Sequence, residues 1–265
     1  MSTRPAAVAG TFYPEDPNEL SLQIEALLAQ NKRALAEPCA PKALIVPHAG
    51  YLYSGPTAAI AYNTLLKFKH KISRVVILGL SHRVPFRGIA ASSASYFTTP
   101  LGAVAVDTKS IKGLKEKALV TELDSAHSSE HSLEVQLPFL QKILAQFTLV
   151  PLVTGQCDVR EVALCLEEFW NDEQTLLLVS SDLSHFHDYR EACSIDKKTC
   201  QLVQQQYFHL NGDQACGSYG VNGLLYLLAS KKARIEILDY RNSGDTAGDK
   251  QRVVGYGAFA VYYSQ

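Results

Sequence analysis

Four groups of side chains that could take part in chemistry come just after predicted strands of this 265-residue chain. They are His48, His82, Asp182 with His185, and Asp245. Imidazole and carboxylate groups are the side chains that bind transition metals and move protons near neutral pH. In open α/β sheets, ligands bind in the crevice beyond the carboxyl ends of the strands. The positions of these residues therefore predict one site at one edge of a sheet.

The elements that must position this site follow from the hydropathy pattern. Short continuous apolar runs, such as Ala43–Val46, Arg74–Gly79 and Thr175–Ser180, are typical of strands that are buried on both faces. Helical patterns alternate with these runs. The alternation predicts an α/β fold in which a central, mostly parallel or mixed sheet carries helices on both faces. We expect one domain over residues 1–265, because the pattern shows no linker or low-complexity segment.

Several helix boundaries are predicted from capping residues and proline. Asp16 has the features of an N-cap, with Pro17 at the first helical position, and this helix is expected to continue to about Ala36. A second helix is expected to start near Pro56. Two more are expected over 133–146 and from the end of the Asp182–His185 group to about Phe208.

Two histidines and a carboxylate from separate strands form the facial triad of non-haem Fe(II) sites, which leaves coordination positions open for substrate and O₂. His48, His82 and Asp245 are the candidates for this triad. Fe(II) is the first expectation, while zinc and copper stay open because they accept similar ligands. His185 could serve as a general base, and Asp182 could orient a ring nitrogen.

A second motif, His127-Ser-Ser-Glu130-His131, matches the H-x-x-E-H pattern of inverted zinc peptidases. That function would need His127 and His131 on one helical face, with Glu130 as the base. However, the two serines favour a helix start over a helix interior. The alternative is that Glu130 and His131 line the site from a loop, or only cap the following helix.

Composition narrows the classes of function. The formal net charge is −1, from 25 basic and 26 acidic residues, so no basic excess supports nucleic-acid binding. No apolar run approaches the roughly 20 residues of a membrane-spanning helix, and no signal peptide is evident. The six cysteines form no C-x-x-C pair and are interpreted as free thiols in the cytoplasm. Cys216, before a predicted helix, could be an activated thiol or a buried structural one.

Five motifs in order resemble those of the Memo family, which includes protein B of the bacterial AmmeMemoRadiSam system. They are Pro47-His-Ala-Gly-Tyr51, Leu78-Gly-Leu-Ser-His82, Glu130-His-Ser-Leu-Glu-Val-Gln-Leu-Pro138, Ser180-Ser-Asp-Leu-Ser-His185 and Ala215-Cys-Gly217. Ala9-Gly-Thr-Phe-Tyr-Pro14 also fits. The resemblance covers nearly the whole chain.

This resemblance implies a fold similar to that of the class III extradiol ring-cleavage dioxygenases. It implies that His48 and His82 are metal ligands, that His185 stands where such enzymes keep a base, and that Asp182, Glu130 and His131 line the pocket. The implied function is a non-haem iron oxidoreductase acting on a small diol-like molecule. A non-catalytic binding or adaptor module, with a vestigial or metal-handling site, is the alternative.

The third metal ligand is left open by the resemblance. Animal Memo proteins are expected to carry a cysteine in the loop before the last strand, and counting places Thr246 there. Bacterial relatives typically show a Ser-Gly-Asp motif, which matches residues 243–245 and makes Asp245 the candidate. Asp249 is a further possibility, and so is an incomplete site. The family also implies a radical-SAM protein and an AMMECR-type protein as partners.

Overall fold

A computed structural model describes residues 2–31 and 39–263. The strands are β1 (Thr3–Arg4), β2 (Ala43–Val46), β3 (Arg74–Leu80), β4 (Ile89–Ala91), β5 (Tyr96–Thr99), β6 (Gly102–Ala105), β7 (Thr121–Glu122), β8 (Thr148–Thr154), β9 (Thr175–Ser180), β10 (His185–His187), β11 (Ala233–Asn242) and β12 (Val253–Tyr263). The α-helices are α1 (Pro17–Gln30), α2 (Tyr51–Asn63), α3 (Thr108–Glu116), α4 (Ser125–Ser128), α5 (Leu137–Ile143), α6 (Val159–Glu167), α7 (Tyr189–Gln204), α8 (Ser218–Leu228) and α9 (Ser243–Thr246).

The central sheet is mixed, with a parallel core in the order β2-β9-β3-β8. On one side β12 runs antiparallel to β2 and pairs with both β10 and β11. On the other side β4 runs antiparallel to β8, and β7 extends the sheet. A separate small sheet has the order β1-β5-β6. The prediction of an α/β fold with a mixed sheet is confirmed.

The parallel strands are almost entirely buried, as their continuous apolar runs predicted. Every residue of β2 and β9 is buried, and so is each residue of β3 except its two ends. Helices α1, α2 and α5 pack together, and so do α6 and α8, with α8 against β3 and β9. One continuous hydrophobic core, from Val8 to Tyr262, joins the sheet to these helices.

The start of the first helix is as predicted, because the Asp16 carboxylate accepts from the backbone N–H groups of Asn18 and Glu19. Its expected end near Ala36 lies outside the described residues. The prediction for the second helix was wrong: α2 begins at Tyr51, and Pro56 lies inside it. The Gly50 carbonyl accepts from the N–H groups of Tyr53 and Ser54 and so forms the first turn earlier than the proline indicated.

Two other helix boundaries also differ from the prediction. A 3₁₀ turn over Glu134–Gln136 precedes α5, which ends at Ile143. The segment after Asp182 does not enter a helix directly, since His185–His187 first pairs with β12. Asp188 then caps α7, and Gln206 adopts a positive φ of 59° just past its end. Strand pairing with a distant segment cannot be seen in a local helical pattern.

Among the described residues, the helices are all too short or too polar to cross a bilayer.

Candidate metal centre

A cavity of about 720 Å³ lies beyond the carboxyl ends of β2, β3 and β9. The side chains of His48, His82, His131, Asp182 and His185 contribute to its wall. The remaining lining residues come from the N-terminal segment, the start of α2 and the loop before β12: Thr11, Phe12, Ala49, Gly50, Tyr53, Ser243, Ala247, Gly248, Asp249, Arg252, Val254 and Tyr256. The sheet edge therefore brings together most of the residues that the sequence singled out.

Three histidines form the centre of this cavity. His48, His82 and His131 each offer a ring nitrogen, and these nitrogens all lie within 4.8 Å of one another. The rings of His48 and His82 meet edge to face at a centroid distance of 5.2 Å, and His82 stacks on His131 at 4.4 Å. Ligands bound at about 2.1 Å in a tetrahedral site are about 3.4 Å apart, so small side-chain movements would let all three bind one ion.

The ring of His82 is held by a carboxylate. Its Nδ1 donates to Oε1 of Glu130 at 2.8 Å, and its backbone N–H donates to Oε2 at 2.8 Å. Burial alone would raise the pKa of Glu130, but these hydrogen bonds and one from the Ser132 N–H lower it to about 2. A charged Glu130 fixes the proton of His82 on Nδ1 and leaves Nε2 for the cavity. Glu130 thus supports a ring that reaches the site.

Close approach of two segments makes this arrangement possible. A Cβ atom on Gly79 of β3 would lie 2.3 Å from Oγ of Ser132. Only glycine therefore lets the segment that carries Glu130 and His131 pass against the end of β3. The Ser132 hydroxyl donates to the Leu80 carbonyl at 3.1 Å and keeps the two segments together.

His48 is the most deeply buried of the three histidines. Its backbone N–H donates to Oδ1 of Asp182 at 2.7 Å, and its Nδ1 lies 2.9 Å from Oγ of Ser180. Burial, followed by the proximity of His131 and His82, lowers the pKa of His48 well below its usual value. The ring is therefore neutral at physiological pH, which is the form that binds metals.

His131 is positioned from the N-terminal segment. Its ring contacts that of Phe12 at a centroid distance of 4.7 Å. The buried carboxylate of Glu134 anchors the same segment, because it accepts from the backbone N–H of Val8 at 3.0 Å and pairs with Arg4 and the Tyr13 hydroxyl. Burial, and then the proximity of His82, lowers the pKa of His131 to about 4.

His185 and Asp182 both line the cavity but differ in their surroundings. The Nδ1 of His185 donates to the Leu183 carbonyl at 2.9 Å, which leaves Nε2 unprotonated. Burial lowers the pKa of His185, so the ring is neutral and can accept a proton. Burial also raises the pKa of Asp182 to about 7, against the hydrogen bonds that its carboxylate accepts from the N–H groups of His48 and Ala49.

Asp245 lies away from the three-histidine cluster. It stands in the first turn of α9, where Oδ2 accepts from the Asn242 N–H at 3.0 Å and Oδ1 accepts from the Tyr189 hydroxyl at 2.6 Å. Thr246 donates to the Ser243 carbonyl in the same turn. Asp249 does line the cavity, but its Oδ1 accepts from the Gln251 N–H in a local turn. These hydrogen bonds account for the position of each of the three side chains without a metal ion.

The geometry needed for an inverted zinc peptidase is not formed. Helix α4 ends at Ser128, so His127 and His131 do not share a helical face. His127 is buried apart from the cavity, where its Nε2 bonds to the Ala90 carbonyl at 3.1 Å. Within the same motif, His131 lines the cavity, Glu130 holds the ring of His82, and His127 belongs to the packing behind them.

Cys216 is the site residue whose role the sequence left undecided. Its sulfur lies 3.4 Å from Nε2 of His48 and 3.2 Å from the backbone nitrogen of Asp182. Burial raises the pKa of its thiol to about 12. A Cβ atom on Gly217 would lie 2.8 Å from the Ser180 carbonyl oxygen, so the Cys-Gly pair lets α8 start directly against the loop after β9. The Ala215-Cys-Gly217 motif was the available signal.

The fold and the site together define a class of α/β proteins with a histidine cluster at the carboxyl edge of a mixed sheet. The family model described as "Memo-like protein" matches residues 4–260. Similar proteins include MEMO1 family proteins of Aquifex aeolicus (33% identical over 97% of this chain and 98% of the relative) and Ignicoccus hospitalis (36% identical over 97% and 98%). One of Methanopyrus kandleri is 33% identical over 96% and 97%. The chain belongs to the Memo family.

Proposed function

We propose that this protein binds one transition-metal ion on His48, His82 and His131, and uses it to act on a small molecule in the adjoining cavity. The observation that carries the proposal is the convergence of three ring nitrogens within 4.8 Å of one another. Hydrogen bonds at Nδ1 of both His48 and His82 support it, because metal-binding histidines generally have their second nitrogen held in this way.

The donor set bears on the choice of metal. Three imidazoles suit iron, zinc and copper, whereas a carboxylate in place of one would have favoured iron more specifically. We propose Fe(II), because the cluster faces a cavity of about 720 Å³ in which substrate and O₂ could occupy open positions. A bound metal would supply a Lewis acid and a template that orients the substrate.

The chain's own residues would transfer protons and form the surface that contacts the substrate. We assign His185 as the base, since its Nε2 is free, neutral and in the cavity wall. Asp182 would hold the backbone of His48 in place through its 2.7 Å hydrogen bond. Phe12, Tyr53 and Tyr256 would form an aromatic wall that suits a planar, diol-like substrate. The proposed reaction class is oxidoreduction related to that of extradiol dioxygenases.

The test is metal content and metal access in protein purified without oxygen. We expect about one iron per chain after reconstitution with Fe(II), and binding of nitric oxide detected by electron paramagnetic resonance. The His48→Ala/His82→Ala variant should retain no iron, while His127→Gln, a buried histidine outside the cavity, should retain it fully. Wild-type protein that holds no stoichiometric metal would contradict the proposal.

The role of His185 as the base can be tested separately once a substrate has been found among catechol-like molecules. His185→Ala should lose most of the turnover, on the order of 100-fold or more for a general base, and keep its iron. His187→Ala is the matched control, because His187 lies two residues away and pairs with Glu191 on the surface. Undiminished turnover in His185→Ala would remove this role.

A specific observation favours a second candidate, a closed metal-handling site. The sulfur of Cys216, 3.4 Å from Nε2 of His48, could add a fourth donor to the cluster. Structural metal sites have all four positions filled by protein ligands, whereas catalytic sites keep one open. Iron, zinc or copper bound stoichiometrically, but with no nitric-oxide binding in the Fe(II) form and restored binding in Cys216→Ala, would favour this function.

A further inference from the structure

The hydroxyl of Ser180 sits at the junction of three polar groups beneath His48. Its Oγ lies 2.6 Å from the Ser132 carbonyl oxygen, 2.9 Å from Nε2 of Gln136 and 2.9 Å from Nδ1 of His48. All of these groups are buried, so bulk water does not reach them. The position of each proton can therefore be worked out from what each group is able to donate or accept.

The orientation of the Gln136 amide is fixed by its two other neighbours. The Pro47 carbonyl can only accept, so the amide atom 2.9 Å from it is the NH₂ group. The Tyr62 hydroxyl then donates to the remaining amide oxygen at 2.6 Å. The second N–H of Gln136 is thus directed at the Ser180 hydroxyl.

The Ser180 hydroxyl has one proton, and the Ser132 carbonyl can only accept it. Ser180 Oγ must therefore accept from both Gln136 and His48. Its contact with His48 is a hydrogen bond only if Nδ1 of His48 carries the proton. The other tautomer would set the lone pair of Nδ1 against a lone pair of the hydroxyl in a buried position.

We propose that Ser180, whose Oγ also accepts from Gln136, is a positioning residue that holds His48 in the Nδ1–H tautomer, so that its unprotonated Nε2 faces the cavity. That nitrogen lies 3.4 Å from Cys216 Sγ. The value of this lock to the protein rests on the proposed metal site, because Nε2 must be free of its proton to bind an ion. The lock itself does not depend on a metal.

The lock on His48 differs in kind from that on His82. Glu130 holds His82 with a negative charge, whereas Ser180 holds His48 with a neutral hydroxyl. A carboxylate partner raises the basicity of a histidine ligand, and a neutral partner does so less. Both locks depend on one short segment, since Glu130, Ser132 and Gln136 lie within seven residues of the chain. This segment therefore orients two strand-end histidines while His131 in it supplies the third.

The experiment is NMR of ¹⁵N-histidine in the metal-free, full-length chain, in which two-bond couplings identify the tautomer of each ring. We expect the Nδ1–H form of His48 in wild type. Ser180→Ala should populate the Nε2–H form visibly, because it removes the acceptor placed at Nδ1 of His48. The same variant should also weaken Co(II) binding about tenfold, the lower end of the range found for second-sphere changes.

Ser184→Ala is the matched control, because Ser184 is equally buried but its hydroxyl contacts no histidine in the described ranges. It should leave both the tautomer and Co(II) affinity unchanged. Ser180→Thr, which keeps the hydroxyl, should restore the Nδ1–H form. A wild-type His48 in the Nε2–H form would overturn the inference, and so would a Ser180→Ala variant with an unchanged tautomer. A locked tautomer in a protein that binds no metal would instead refute only the proposed function.

Discussion

The two ends of the same parallel strands use polar residues in opposite ways. At the amino end, Lys42 precedes β2, and its Nζ donates to the carbonyl groups of Phe169, Asp172 and Thr175 at 2.6–2.9 Å. Arg74, the first residue of β3, reaches the carboxylate of Asp172 at 2.6 Å. These cations are bound to acceptors of the protein itself.

At the carboxyl end, two histidines are each held at Nδ1 by an oxygen atom of a neighbouring side chain. His48 and His82 use Nδ1 on Ser180 and Glu130, and their other ring nitrogens face the cavity with that of His131. A histidine ring that is held at one nitrogen and has its other nitrogen available is already positioned for a ligand. The difference between the two ends indicates what marks a functional edge of the sheet. It is the presence of side chains that are held in place at one atom and still have another atom available for a ligand, and not the presence of polar side chains as such.

The largest effect that separates the two ends is expected for His82→Ala. This variant should bind Co(II) more than about 100-fold more weakly than wild type, since a ligand is lost outright. The metal-free unfolding free energy should change by less than about 1.5 kcal/mol, because the side chain is 30% exposed and Glu130 keeps two backbone donors. Isothermal titration and urea denaturation measure the two quantities. Unchanged Co(II) affinity would contradict the assignment.

His127 sharpens the comparison, because it lies in the same motif as His131 but outside the cavity. Burial lowers its pKa from 6.5 to about 4. The unfolded chain thus binds more protons between these pH values, and stability falls as pH drops through this window. Between pH 7 and pH 4.5, the free energy of unfolding of His127→Gln should therefore fall by about 2.5 kcal/mol less than that of wild type. Urea denaturation at the two pH values measures this difference.

The difference between the two chains isolates His127, since His48 and His131 titrate in both. Co(II) affinity at pH 7 should be the same in the variant and in wild type. An identical acid sensitivity in both chains, or a weakened Co(II) affinity, would show that His127 does not belong to the packing.

Lys42→Met tests the amino end of the strands. The buried carbonyls would lose their shared donor, at a cost of about 2 kcal/mol in unfolding free energy. Metal binding should not change, because the site lies at the opposite end of β2. The exposed Lys67→Met variant is the control and should unfold like wild type. Weakened Co(II) binding in Lys42→Met would break the proposed division between the two ends.

The smallest effect is expected for Asp245→Asn. The variant would weaken one capping hydrogen bond of α9 and the contact with Tyr189, at a cost of under about 1 kcal/mol. Metal stoichiometry, measured by mass spectrometry, should stay at one. Loss of the metal would restore Asp245 as a ligand and remove the three-histidine assignment.

The elements that the sequence predicted well are those governed by local pattern. The buried apolar runs of β2, β3 and β9 predicted where each strand ends. The strand ends in turn predicted that His48, His82 and His185 lie together at one edge, where they line the cavity. Asp16 could be recognised as a cap because its partners lie two and three residues away. Both signals are contained within a few residues of the chain.

The features of the site that could not be predicted from the sequence depend on contacts between residues that are far apart in the chain. His131 lies close to His48 and His82 and belongs to a segment that Glu134 ties to Arg4, 130 positions away from it along the chain. Cys216 meets His48 across 168 positions. Neither spacing carries a signal in one sequence, so the proposal of His131 as a third ligand rests on the geometry alone. The loop of Asp245 likewise depends on its contact with α7.

Anomalous diffraction from crystals of the Fe(II)- or Co(II)-loaded protein tests the central claim most directly. The account predicts one strong peak in the cavity, within about 2.3 Å of one nitrogen each from His48, His82 and His131. A peak that lies on Asp245 or on Cys216 in place of His131 would contradict the ligand set. A loaded crystal without any peak between the three rings would contradict the metal site itself.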